Sequence, residues 1–287
     1  MNSIFVNRRV ERMKRGIFLF CILSFFINNA FAQKGNPDIK SQAALVFNAK
    51  NERIIYDKNA DKVMPIASIT KLMTAMVTLD ARLPPNEKIT ITSADVDKLK
   101  NSSSRLPVGS TFPRYELLRL ALMSSENRAA AALGRTYPGG IKAFVQAMNS
   151  KAKKLGMVNS HFVDSTGLNS SNVATARDLA KLVAASNNYA AIREFSTTTQ
   201  HAVSPGNKRG QLQYVNSNSL VRNQNWDIDV SKTGYLSEAG RCLVMQAKIS
   251  GQPMVIVLLN SWGKNTRIGD ANRVKKWIES NQGRRQV

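Results

Sequence analysis

The sequence predicts an α/β fold of the α+β kind: a five-stranded antiparallel sheet flanked by helices, with an all-helical part inserted into it. Strand-like alternation lies near both ends of the 287-residue chain, and helical periodicity fills the middle. No internal repeat or low-complexity stretch interrupts either pattern. Residues 33–287 therefore read as one domain, whose helical part covers about 68–215.

The elements follow in chain order. Arg8, Arg9, Arg12, Lys14 and Arg15 precede the apolar run Ile17–Ile27, and Ala30-Phe31-Ala32 follows it. Residues 1–32 thus read as a secretory signal peptide cleaved before Gln33, with Met13 an alternative start. The apolar run is too short to span a bilayer comfortably. Ala43–Phe47 and Arg53–Tyr56 alternate as a hairpin around Asn48-Ala49-Lys50-Asn51. Helices are expected near 68–80, 114–123, 127–136, 140–155, 174–186 and 188–194, and Thr175 and Asp178 have capping-box spacing for the fifth. Asp227–Ser231, Arg241–Lys248 and Met254–Asn260 supply three more strands, and Ala271–Ser280 a closing helix.

One tetrad carries chemistry, but the chain contains it three times: Ser68-Ile69-Thr70-Lys71, Ser150-Lys151-Ala152-Lys153 and Ser261-Trp262-Gly263-Lys264. Ser150 falls opposite the apolar face formed by Ile141, Phe144, Val145, Met148, Ala152 and Leu155, so it is expected in solvent. Ser261 follows the strand-like run Met254–Leu259, at a strand end or turn where serine is common. Ser68 opens the run Ser68–Leu79, apolar on almost every side, and belongs at the N-terminus of a buried helix. Lys71, three residues on, shares its face. A buried lysine is costly unless neutral or paired, and burial and a nearby cation lower its pKa toward that of a base. Ser68 as a plain N-cap with Lys71 reaching solvent fits the tetrad equally well.

Two further motifs tip that balance. Ser125-Glu126-Asn127 lies between the apolar helix signal Tyr115–Met123 and Ala129–Leu133, where its polar groups need interior partners. Ser170-Ser171-Asn172 and Ser186-Asn187-Asn188 share the spacing but read as solvated loops. Lys232-Thr233-Gly234 occurs once, between two strand signals. A lysine and a hydroxyl on a strand edge can hold a substrate carboxylate, and Gly234 admits a close backbone.

The ordered trio, with 57 residues from Ser68 to Ser125 and 107 from Ser125 to Lys232, resembles the penicillin-binding protein and serine β-lactamase superfamily. Met64–Ala75, Ser124–Ala130 and Asp164-Ser165-Thr166-Gly167-Leu168 resemble its low-molecular-mass D-alanyl-D-alanine peptidases, the endopeptidase branch most closely. The resemblance implies a β-lactamase/DD-peptidase-like fold. It implies Ser68 as nucleophile, Lys71 as its base and Ser125 as proton relay to the leaving amine. Asn127, Lys232, Thr233, Gly234 and Tyr235 would bind substrate, with the N–H groups of Ser68 and Tyr235 as oxyanion hole. Peptidoglycan peptides would be the substrates, β-lactams covalent inhibitors and the periplasm the compartment. No cofactor is implied. A D-alanyl-D-alanine carboxypeptidase, a non-catalytic β-lactam sensor and a β-lactamase are the alternatives. The deacylating Glu-x-x-x-Asn pattern of a class A β-lactamase is missing, since Glu194 is followed by Thr198.

Composition excludes other classes. His161 and His201 lie in no metal-ligand spacing, so no metal site is expected. Cys242 alone remains once Cys21 leaves with the signal, and it reads as a buried packing residue. Residues 1–32 carry five basic and one acidic side chain, so the net charge falls from +22 to about +18. Such a charge draws the chain to cell-wall polyanions or an acidic membrane surface. Nucleic acid is not expected, because no zinc-finger, RNP-like or arginine-rich pattern occurs. Lys264, Arg267 and Arg241 could contact a substrate carboxylate, but solvated surface is the expectation for each.

Overall fold

The computed structural model describes residues 35–205, 210–223 and 225–282. The expected signal peptide lies outside the described residues. β1 (Ala43–Asn48) and β2 (Arg53–Lys58) form the first hairpin, and β3 (Met64–Pro65) leads through a 3-10 turn (Ala67–Ile69) into α1 (Thr70–Asp80). β4 (Lys88–Thr90) and β5 (Thr111–Pro113) precede α2 (Arg114–Met123), α3 (Asn127–Arg135) and α4 (Gly140–Lys154). Next come β6 (Val173–Ala174), α5 (Ala176–Ser186), α6 (Ala190–Thr197), β7 (Gln200–Val203), β8 (Leu212–Val215) and α7 (Ser219–Arg222). β9 (Asp227–Leu236), β10 (Gly240–Ile249), β11 (Gln252–Ser261) and α8 (Thr266–Gln282) close the chain.

The main sheet is antiparallel with strand order β2-β1-β11-β10-β9, so strands from both ends of the chain meet at the β1–β11 pair. Both faces of its centre are covered. Val255, Val257 and Leu259 join one apolar cluster with the helices, while Met254, Ile256 and Leu258 join another with Ala271, Val274, Trp277 and Ile278 of α8. That two-sided burial explains why Met254–Leu259 is continuously apolar instead of alternating. α5 packs against β1, β10 and β11 on the first face. The first described residues are tied to the last helix. Asp270 accepts from the backbone N–H groups of Lys40 and Ser41 at 2.9 and 2.7 Å, and the Trp277 indole donates to the Gly35 carbonyl at 2.7 Å.

Several local expectations change. The strand expected at Asp227–Ser231 runs on to Leu236, which places Lys232-Thr233-Gly234 inside β9, at the sheet edge. The two-stranded ribbons β3–β6, β4–β5 and β7–β8 were not expected, because strands of two to four residues are too short to show a period. Asn172 is fully buried instead of solvated: its side chain takes backbone N–H groups of Val163 and Asp164 and donates to Asp164 and Asn169. Ser186 is likewise buried, at the end of α5. Ile141 is 45 % exposed, since it lies in the first turn of α4. Thr175 caps α5 by accepting from Asp178 N–H at 3.0 Å. Asp178 does not complete a capping box, because its carboxylate turns to Asn159 N–H and the Ser160 hydroxyl.

Candidate active site

The site lies where α1, the start of α3 and the edge strand β9 converge. α1 buries every side chain from Thr70 to Thr78, so Lys71 has no route to solvent. Its ammonium makes three contacts: Ser68 Oγ at 2.9 Å, Asn127 Oδ1 at 2.8 Å and the Thr166 carbonyl at 2.6 Å. The two carbonyl oxygens can only accept. Charged Lys71 donates to all three; once it loses a proton its two N–H bonds stay on the carbonyls and its lone pair turns toward the Ser68 hydroxyl. That is the geometry of a base with its nucleophile. Burial pushes the Lys71 pKa down to about 8, against the opposing pull of the Asp164 and Glu126 carboxylates.

Ser68 sits in the 3-10 turn ahead of α1 and not in the helix itself. Ala67 before it has φ +48°, a left-handed conformation costly for a residue with a Cβ. Three neighbours hold the strained turn. The Thr70 hydroxyl donates to the Ala67 carbonyl at 2.8 Å. Gly167, at φ +80°, lies so close that a Cβ there would stand 2.1 Å from the Ala67 oxygen. A Cβ on Gly234 would stand 3.1 Å from the Ser68 nitrogen, so β9 lies directly against the turn.

Ser125 also has a left-handed backbone, φ +64°, between α2 and α3. Its hydroxyl accepts from Lys232 Nζ at 2.9 Å, and Lys232 also donates to the Thr233 carbonyl at 2.8 Å. Burial, then the positive charges of Lys71 and Arg267, pushes the Lys232 pKa well down. The repulsion between the two lysines thus falls on Lys232, while burial is what lowers Lys71. Thr233 Oγ1 donates to Ser217 Oγ at 2.7 Å, while the Tyr235 side chain is exposed under the Arg241 guanidinium, 4.5 Å from its ring centre.

All eight expected site residues therefore fall on three adjoining segments: the 3-10 turn and start of α1, the turn and start of α3, and β9. The other two tetrads do not join them: Ser150 is exposed on α4, and Ser261 ends β11 against Ser41. Four participants escaped the sequence. The Thr166 carbonyl is positioned by Asp164, whose carboxylate takes the N–H groups of Thr166 and Gly167. An Asp followed three residues later by Gly signals such a turn. Ser102, which accepts from Asn127 Nδ2 at 2.8 Å, and Ser217 come from loops with no pattern. Arg267, expected to be solvated, is partly buried beside the Gly234 carbonyl at 3.4 Å, with its Nε unpaired and its pKa lowered by burial and by Arg241. A helix-borne arginine shows no such placement until its helix is docked.

No group of three or more potential metal-ligating side chains occurs among the described residues. His201 contacts Glu116 at 2.8 Å. Glu194 pairs with Arg119 at 3.2 Å and is largely exposed. Cys242 is buried, its thiol pushed up to about 11 by desolvation.

The family model described as D-alanyl-D-alanine carboxypeptidase matches residues 30–263. The chain belongs to this family of serine peptidases. Relatives include the D-alanyl-D-alanine endopeptidases of Escherichia coli, 47 % identical over 85 % of this chain and 79 % of that one, and of Pseudomonas aeruginosa, 46 % identical over the same shares. The Streptomyces K15 DD-transpeptidase has the same architecture, with TM-score 0.78 and 29 % identity over 85 % of this chain and 98 % of that one. Penicillin-binding protein D2 of Listeria monocytogenes in its ampicillin-bound form aligns with TM-score 0.73, at 29 % identity over 85 % of this chain and 99 % of that one. The resemblance read from the motifs and the expected fold class agree with these findings.

Proposed function

We propose that the chain is a periplasmic serine D-alanyl-D-alanine endopeptidase that cleaves peptidoglycan cross-links through an acyl-enzyme. The observation that carries this reading is Lys71, buried and held by two carbonyl acceptors with its third contact on Ser68. Ser68 Oγ attacks the D-alanyl carbonyl as its proton passes to Lys71, and the oxyanion is met by N–H groups of Ser68 and Tyr235. Ser125, held by Lys232, relays a proton to the departing amine as the C–N bond breaks, giving its own and being made good by the one Lys71 took from Ser68. Water then attacks the Ser68 ester, giving a proton to Lys71 that passes to Ser68 Oγ as the ester C–O bond breaks, and the D-alanyl acid leaves as its carboxylate. Asn127, Thr233 and the edge of β9 hold the peptide, which pairs as an added strand, while Gly234 leaves room for the turn that carries Ser68. The endopeptidase preference is supported by the two relatives nearest half identity.

The family's own description favours a second reading, a D-alanyl-D-alanine carboxypeptidase. Purified enzyme given a cross-linked muropeptide dimer and a pentapeptide monomer separates them. Cleavage of the dimer is the expected result, and free D-alanine from the monomer alone would overturn it. Ser68→Ala is expected to abolish fluorescent penicillin labelling, while Ser150→Ala and Ser261→Ala keep it. Labelling without turnover of either peptide would mark a β-lactam sensor.

A further inference from the structure

The amide of Asn127 can face Lys71 in two ways, and only one of them leaves a working base. With Oδ1 toward Nζ, as in the structure, the amide accepts an N–H of the neutral lysine, whose lone pair is left to Ser68. With the amide turned over, Nδ2 would donate to that lone pair and the base would be spent. We propose that Ser102 and Asp97, on the loop between β4 and β5, are positioning residues that fix the amide in its working sense. The proposal rests on the reading of Lys71 as the base of Ser68 and deepens it.

Hydrogen-bond polarity is set from the outside inwards. A carboxylate can only accept. Asp97 takes the backbone N–H groups of Leu99 and Ser102, each at 2.8 Å, and that of Lys100 at 3.0 Å, so the loop is wound about it. Burial would raise the Asp97 pKa, yet it lies below its ordinary value because the Ser102 hydroxyl and these same N–H groups donate to it. With its proton turned to Asp97, Ser102 Oγ has only lone pairs for its other neighbour. That neighbour must be a donor, and it is Asn127 Nδ2 at 2.8 Å. Nδ2 on Ser102 leaves Oδ1 for Lys71, also at 2.8 Å. The second hydrogen of Nδ2 remains for a substrate carbonyl.

The same loop is tied to the residues on either side of Asn127. Ser104 donates to the Glu126 carboxylate, and Arg128 donates to the Leu106 carbonyl at 2.6 Å. Glu126, Asn127 and Arg128 thus hold one loop in succession, and of these bonds the one through Ser102 leads directly to a partner of Lys71. The charged groups that face Lys71 are Asp164 from its turn, Glu126 from the cap of α3 and Lys232 from β9. Substitution of Ser102 removes none of them.

The test is the rate of fluorescent penicillin labelling between pH 6 and 9.5 for the unmodified enzyme and three variants. Ser102→Ala frees the amide to turn. A turned amide sets two donors face to face when Lys71 is charged, so the midpoint of the pH profile is expected to fall by about half a unit or more. The plateau rate is expected to drop at least about tenfold, because the lone pair is engaged. A merely structural loosening would admit water and move the midpoint the other way, towards the 10.5 of a free lysine. Ser102→Thr keeps the hydroxyl, and is expected to keep the midpoint and, within about threefold, the rate. Lys100→Ala removes the exposed Lys100–Glu238 pair from the same loop, and is expected to leave the midpoint in place and the rate within about twofold. An unchanged plateau in Ser102→Ala would overturn the proposal, as would a midpoint that rises, or a Lys100→Ala or Ser102→Thr profile that matches it. A flat profile in the unmodified enzyme would instead overturn Lys71 as the titrating base and take the role of Ser102 with it.

Discussion

Lys71 sets the pH behaviour of the site. Its pKa is about 8 in the folded protein against 10.5 for a free lysine, so its neutral form grows through about pH 8. Acylation by penicillin is expected to speed up through that pH, measured as the labelling rate from pH 6 to 9.5. The same shift enters stability. Below about 8 both folded and unfolded chains carry the proton, and between about 8 and 10.5 the unfolded chain binds more. Stability from this group therefore rises with pH across that window, by up to about 3 kcal/mol. Lys71→Met should remove that slope, read from urea melts at pH 7.5 and 10. Gly167 gives a second test: Gly167→Ala forces a Cβ onto the Ala67 oxygen, whereas Gly109→Ala, at φ +90° with open space around it, carries backbone strain alone. The first should cost more stability than the second, by roughly 2 kcal/mol or more, and should slow labelling as well. Lys71 was legible because a lysine in an apolar helix has few explanations. The Thr166 carbonyl was not, because every residue has one and only the fold says where it points.

Among the elements, β9 and α5 do different work. β9 is an edge strand, so no further strand pairs with its outer side, where an extended peptide can add, and its glycine lets the turn of Ser68 press against it. α5 is scaffold, a single helix bracing β1, β10 and β11. Thr175→Ala removes its cap bond and should lower stability by about 1 kcal/mol, a fall of about 2–4 °C in Tm, with the labelling rate unchanged. Long elements were readable because several turns or pleats repeat a period. Alternation alone marks β9 only over Asp227–Ser231, and the strand edge at Lys232-Thr233-Gly234 was legible from the motif, because that triplet breaks the apolar alternation that marks a strand. The chemistry and the pattern compete for the same positions.

At the scale of the whole molecule, charge is the dominant property: +22 over the chain, about +18 without residues 1–32. No described helix is long and apolar enough to cross a membrane. Attraction to cell-wall polyanions is our proposal for that charge, and it has an ionic-strength signature. Binding to isolated sacculi should weaken steeply between about 50 and 500 mM NaCl, while penicillin labelling, a local reaction with a small ligand, stays level. The overall architecture was legible because strand signals cluster at the two ends and helices between them. What the sequence left open was how the ends meet.

That meeting has a consequence for synthesis. β1 is bonded on one side to β2, its neighbour in sequence, and on the other to β11, some two hundred residues later. Asp270 of α8 then fastens Ser41 just ahead of β1. The first strand to leave the ribosome must wait for nearly the last before its sheet can close. A nascent chain stopped at residue 250 has every motif of the site and no fifth strand to hold them together. Such a chain stays slow to fold until it is complete, which is the condition a protein needs if it is to be threaded unfolded through a membrane pore.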